Sequence, residues 1–220
     1  MRLLFALLII IGSYSGYLYT QDESKLPPLK NGDLIFQTTA MPGAMAIGLA
    51  SLSPYIHTGI IKLTDNGPVV VHAAEAVLET PLSEWIDSGV LHRFSVYRHK
   101  TLTPEQAEDV LEVAKTYYGK PYDHYFSFDN DSIYCSELEH LAFNAVGVPV
   151  GKVEKIGSLN INNQFAKKLI EQRWQKYPAC VGKGYTFEGC YDVMMKQELV
   201  TPASIARDAN VERIFTNYPF

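Results

Sequence analysis

The sequence is short of positive charge, of cysteine and of biased stretches, and each shortage excludes something. Its 19 Lys and Arg residues are outnumbered by 24 Asp and Glu, for a formal net charge of −5. Binding nucleic acid as the main partner requires a basic surface, so that class is set aside. No run of glycine, serine, glutamine or like charge stands out, and no segment recurs at a fixed period. Low-complexity and repeat architectures are thereby excluded. Cysteine occurs three times, an odd number, so internal pairing leaves one thiol over. What is present suits one globular domain plus a leader: 220 residues, 47% apolar and 20% charged.

The N-terminus reads as an address. Met1-Arg2 is a short positive start, Leu3 to Ile11 an unbroken apolar run, and Gly12, Ser13, Ser15 and Gly16 a small-residue exit. That order describes a secretory signal, with Ser13-Tyr14-Ser15 one candidate cleavage site before Gly16 and Tyr17 to Thr20 leaving the exact bond open. The apolar character fades by Ser13, short of the ~20 residues that a membrane span needs. No cysteine follows the run to carry a lipid. The expectation is a leader over 1–20, an exported (periplasmic or secreted) protein, and a single catalytic domain over 21–220. Export favours disulfides. Cys180 and Cys190 flank the glycine-rich VGKGYTFEG as a hairpin staple would, and pairing them leaves Cys135 free.

Along the domain, Asp33 to Gln37 reads as a strand and Ala44 to Ser51 as a short helix. Ile56 to Lys62 and Val69 to His72 are β-rich runs around Asp65-Asn66-Gly67, a hairpin signal. Thr80-Pro81 before Glu84 predicts a helix with Pro81 at its first position. Phe94 to Arg98 alternates as a strand. Thr103-Pro104-Glu105-Gln106 opens a helix marked by Ala107, Val110, Leu111, Ala114 and Tyr118 and stopped by Gly119. An aromatic loop over Pro121 to Tyr134 leads to a helix from Ser136 to Val146. Asn163 to Gln175 reads as helical, and Thr201-Pro202 starts a last short helix. Mixed elements without regular alternation argue for an α+β fold with an antiparallel sheet packed against helices.

Cys135 falls at the start of a predicted helix. There the dipole and free N–H groups favour a thiolate, and the same N–H groups suit a developing oxyanion. A nucleophilic cysteine also needs an imidazole. His57 opens one strand of the hairpin and His72 ends the other, opposite within about a residue, as a base and its orienting partner would be. His92 and His99 read as surface residues at strand edges, and His124 as a weaker alternate in the loop before Cys135. Glu137 and His140 share a helix face, but no second carboxylate–histidine set accompanies them, so no metal and no organic cofactor is expected.

The ordered set Gly32-Asp33-Leu34-Ile35-Phe36-Gln37, His57-Thr58-Gly59, Thr80-Pro81-Leu82-Ser83-Glu84-Trp85-Ile86, Gly119-Lys120-Pro121-Tyr122-Asp123 and Tyr134-Cys135-Ser136-Glu137 resembles the circularly permuted papain-like amidases of YaeF/YiiX type, within the NlpC-related papain-like superfamily. The resemblance implies a permuted papain-like fold in which the histidine strand precedes the cysteine helix. It implies Cys135 as nucleophile and His57 as general base. Where such chains often carry glutamate as the third residue, fifteen after the histidine, this one has His72, as in the related lecithin:retinol acyltransferase group. Glu75 and Asp123 are the next candidates for that role, and Tyr55 and Ser136 are assigned to the oxyanion hole. The implied activity is a cysteine amidase or peptidase acting on cell-wall peptides. The alternatives are a lipid-directed acyltransferase or thioesterase, or a catalytically silent binding module. Expected partners are a small peptide, muropeptide or acyl-lipid substrate and no nucleic acid, with membrane or cell-wall proximity.

Overall fold

A computed structural model describes residues 26–40, 43–128 and 130–219; the leader expected over 1–20 lies outside the described residues. A six-stranded antiparallel sheet organises the chain. Its strands are β1 (Leu34–Thr39), β2 (His57–Thr64), β3 (Gly67–Ala73), β4 (Val77–Pro81), β5 (Gly89–His99) and β8 (Val211–Thr216), in the order β4-β3-β2-β1-β5-β8. A two-stranded ribbon pairs β6 (Val153–Lys155) with β7 (Glu198–Val200). The expected α+β class with an antiparallel sheet is what the chain adopts.

The β2–β3 hairpin closes where the sequence predicts. Thr64 pairs with Gly67, leaving Asp65-Asn66 as a two-residue loop, and Gly67 takes the positive φ of 105° that glycine tolerates. β1 is central, so both its faces are covered, and Leu34, Ile35 and Phe36 are all fully buried. Alternation along the strands sends Leu34, Phe36, Ile60 and Val71 to one face. Helices α3 (Pro104–Lys115) and α4 (Cys135–Ala145) cover it with Val110, Leu111, Leu138, Ala142 and Phe143. Thr103 caps α3, accepting from the Gln106 N–H, and Gln106 Oε1 accepts from the Thr103 N–H. On the other face, α2 (Leu82–Asp87) lays Trp85 and Ile86 over Ile35, Ile61, Val70 and Phe94.

Four further elements build a wall beside the end of α4: α1 (Ala44–Ser51), α5 (Gln164–Arg173), α6 (Phe187–Lys196) and α7 (Pro202–Ala206). The Cys180–Cys190 disulfide is present. It does not staple a hairpin, as the glycine-rich spacing suggested. It ties a turn to the first turn of α6, within a small core of Ile170, Tyr177 and Met194. Two boundaries also shift. Pro81 ends β4 and flanks α2 rather than entering it, and Tyr118 lies in a turn beyond α3. β4, β6, β7, β8 and α6 lie outside the elements expected from sequence; the strands are short or evenly mixed with charge, and α6 begins inside the glycine-rich segment that reads as a stapled hairpin.

Candidate active site

The hairpin places the two histidines. Ile60 pairs with Val71, so one step further the register sets His72 across from Gly59. His57, two residues before Gly59, therefore reaches His72 diagonally rather than from directly opposite. A Cβ on Gly59 would run into Val70 and lie 3.1 Å from His72 Cβ, so a side chain there would crowd His72. His57 Nε2 lies 2.9 Å from His72 Nδ1, and His72 Nε2 lies 2.9 Å from Thr80 Oγ1. Trp85 covers both rings, stacked on His57 at 5.8 Å and edge-on to His72 at 6.4 Å.

Burial sets the charge of this pair. Desolvation and the neighbouring His72 push His57 down to about 3, and desolvation pushes His72 down to about 4. Both rings are neutral at physiological pH. Two tautomer sets satisfy both contacts, and the one a general base at His57 requires has His57 Nε2–H donating to His72 Nδ1 and His72 Nε2–H donating to Thr80 Oγ1. In that set His57 Nδ1 carries the ring's free lone pair.

Cys135 opens α4, as expected, and its sulfur sits against the backbone on both sides of His57. Sγ is 4.0 Å from the Ile56 carbonyl oxygen, and the Thr58 N–H points at it. β3 has already left β2 at this level, which frees that edge of the strand for the thiol. The Ser136 N–H and the Tyr122 hydroxyl also reach the sulfur. No hydrogen bond joins Sγ to the His57 ring in this state. The expected low thiol pKa is corrected: burial, followed by the Glu139 carboxyl, pushes the thiol up to about 12, and the N–H groups of the helix start only partly offset this. A dipole acts through partial charges, whereas removing a thiolate from water acts on the whole charge.

The oxyanion candidates divide. The Ser136 hydroxyl donates to the Val200 carbonyl at 2.9 Å, so only its backbone N–H faces the sulfur. The Tyr55 hydroxyl is 2.8 Å from Ser95 Oγ, and its ring packs among Phe36, Tyr97 and Tyr218. Tyr55 is thus a core residue, and the hydroxyl that acts on the sulfur belongs to Tyr122, which in the sequence stands only as one member of Gly119-Lys120-Pro121-Tyr122-Asp123. Asp123 accepts from the Tyr125 and Ser127 N–H groups, both at 2.7 Å, and from Asn130 Nδ2 at 3.0 Å, which shapes the aromatic loop. His140 Nδ1 lies 2.8 Å from the Val150 carbonyl oxygen, and Glu137 Oε2 accepts from the Tyr134 N–H. His99 is not the surface residue expected; it is buried beside Phe143.

On the side of Cys135 away from β2 lies a cavity of about 120 Å³. Ile47 and Ile56 wall one side, Leu169, Ile170 and Met194 another, and Tyr122 stands beside the thiol. His124 and the half-buried Arg173 are among its polar members, with Arg173 Nη1 donating to the His124 carbonyl at 2.6 Å. Nothing in the sequence marks this cavity, because its walls come from segments more than 100 residues apart.

Comparison with known proteins agrees with the fold. Residues 28–215 match the family described as permuted papain-like amidase enzyme, YaeF/YiiX, C92 family, and the chain belongs to that family. It is similar to the uncharacterised protein YiiX of Escherichia coli strain K12, at 34% identity over 149 residues, covering 67% of this chain and 74% of that protein. A crystal structure of YiiX from Escherichia coli O157:H7, described as a metalloprotein, superposes with a TM-score of 0.76 at 29% identity, covering 86% of this chain and 98% of that one. Among the described residues here, no group of three or more His, Cys, Asp or Glu is placed to hold a metal ion.

Proposed function

We propose that this member of the permuted papain-like amidase family is an exported cysteine hydrolase that removes apolar acyl groups through Cys135, His57 and His72. The observation that carries the reading is the apolar cavity on which Cys135 opens. Its lining is predominantly aliphatic and aromatic, which suits an apolar guest. Bound there, an acyl chain presents its carbonyl carbon to Sγ. As Sγ attacks, its proton passes to His57 Nδ1, and the new imidazolium is held through His72 to Thr80. The Ser136 N–H and the Tyr122 hydroxyl, both now directed at the sulfur, are the donors available to the carbonyl oxygen as it becomes an oxyanion. His57 then protonates the leaving amine or alcohol, and water attacks the thioester with His57 again as base.

Resting thiol and imidazole are both neutral, so proton transfer accompanies attack instead of preceding it. Export is supported by the leader in the sequence and is compatible with the Cys180–Cys190 bond. A cell-wall peptide remains the second reading, favoured by the family's amidase description. An acyl-chain series decides between them. With p-nitroanilides or esters of two to twelve carbons, kcat/KM is expected to rise with chain length, by up to about fourfold per methylene while the cavity is filling. A flat series together with rapid cleavage of a muropeptide would overturn the acyl reading.

A further inference from the structure

Glu139 lies four residues after Cys135 on α4, one turn along the same face. Its carboxyl is 1% exposed, and neither oxygen has a hydrogen-bond partner. Across from it, Thr58 is 0% exposed, and its hydroxyl also lacks a partner. The two are close enough to influence each other, although neither completes a hydrogen bond in this structure. Thr58 is the residue whose backbone N–H points at Cys135 Sγ.

Buried polar groups are nearly always paired, and a buried charge without a cation is costly. The titratable groups around this end of α4 are Cys135, Glu137, Tyr122 and Tyr134 on the helix and its approach, with His57 and His72 on β2 and β3. None is a cation, since both histidines are neutral. Burial is the main influence on Glu139, holding its carboxyl well above the ordinary range, and the Thr58 hydroxyl is the one other group acting on it.

We propose that Glu139 is a positioning residue for the nucleophile: it pairs with the Thr58 hydroxyl, fixing the strand edge that cradles Sγ, and as a carboxylate it opposes formation of the thiolate. The same side chain thereby raises the pH at which the thiol is activated. The inference does not depend on which acyl group the cavity takes, because it concerns the thiol alone.

The test follows the rate of Cys135 alkylation by iodoacetamide from pH 6 to 11, with unfolding midpoints measured alongside. It uses no substrate, so it fails or succeeds apart from the acyl reading. Glu139→Gln keeps an uncharged hydrogen-bonding group and removes the ionisation. Its profile is expected to move to lower pH, with alkylation several-fold faster than wild type between pH 9 and 10. A merely structural glutamate would change the midpoint and leave the profile where it was; superimposable profiles would overturn the proposal. Should Glu139→Gln not fold, Thr58→Val decides. Losing the hydroxyl that favours the carboxylate is expected to shift the profile in the same direction by a smaller amount, and an unmoved profile there would equally overturn the proposal.

Discussion

The two sides of the proposed reaction centre are built on opposite terms. On the hairpin side, His57, His72 and Thr80 form a chain with both links at 2.9 Å under Trp85, and one ring nitrogen is left over. On the α4 side, the thiol, the Tyr122 hydroxyl, Thr58 and Glu139 form a buried group in which two members have no partner. The hairpin side is organised before substrate arrives. The helix side is held high in proton affinity and is the side that substrate, proton transfer and a neighbouring carboxyl can change. Regular antiparallel pairing fixes side chains at known spacings, whereas a helix end meeting a loop is fixed by desolvation and by whatever lies nearby.

Removing the nucleophile is the largest perturbation. Cys135→Ala is expected to lower kcat on the acyl series by at least about 10³-fold with the unfolding midpoint kept, as in other hydrolases that lose a nucleophile. Activity retained in that variant would dissolve the comparison, because one side would then have no chemistry.

His72 is the next break point, on the prepared side. His72→Ala removes the acceptor for His57 Nε2–H and is expected to lower kcat on the order of 10²-fold. His72→Glu is expected to recover part of the loss, because a carboxylate accepts the same hydrogen and stabilises the imidazolium more strongly. Both are read as kcat beside urea midpoints; kcat near wild type in His72→Ala would return the third role to Glu75 or a loop residue.

Acid separates the two sides by sign. The unfolded histidines titrate near 6.5, and the folded ones near 3 and 4. The folded protein thus binds fewer protons, and stability that is full above pH 6.5 falls as the pH drops towards 4 and 3. Glu139, with its folded pKa raised, acts oppositely: its contribution worsens as the pH rises above the unfolded value of about 4.5. Urea midpoints from pH 7 to 4 are expected to decline in wild type and to decline less steeply in His72→Gln, which keeps a polar partner but does not titrate. Equal slopes would mean that the histidine pair is not the group being charged.

Reducing the disulfide has the smallest effect and lies farthest from both sides. Closure of a loop of this size is worth about 2–3 kcal/mol, so dithiothreitol is expected to lower the melting temperature by several degrees. It is also expected to weaken preference for long acyl chains, because Ile170 and Met194 belong both to the disulfide's core and to the cavity wall. Chain-length selectivity unchanged by reduction would show that the wall stands without its clamp.

Much of the hairpin side was legible in advance. Asp65-Asn66-Gly67 marks its turn, β-branched runs mark its strands, and the fifteen-residue interval places His72 near His57. The helix start at Cys135 was legible from the loop before it and the period after it. Tyr122 was visible only as part of a motif, and Glu139 looked like one more charged position on an amphipathic helix. The nearness of Tyr55 to His57 in sequence suggests an oxyanion role, but says nothing of Ser95, forty residues away, to which its hydroxyl is bonded.

The sequence by itself determined the family, the α+β class, and which residue types are available for acyl transfer, because those follow from motif order, period and turn chemistry. Only the tertiary structure decided their states. It made both histidines neutral, raised the thiol to about 12 instead of lowering it, left Glu139 without a cation, and opened an apolar cavity beside Sγ. The reason is physical. Proton affinity and cavity shape depend on what surrounds a group at a few ångströms, and here those surroundings come from strands, loops and helices far apart in the chain.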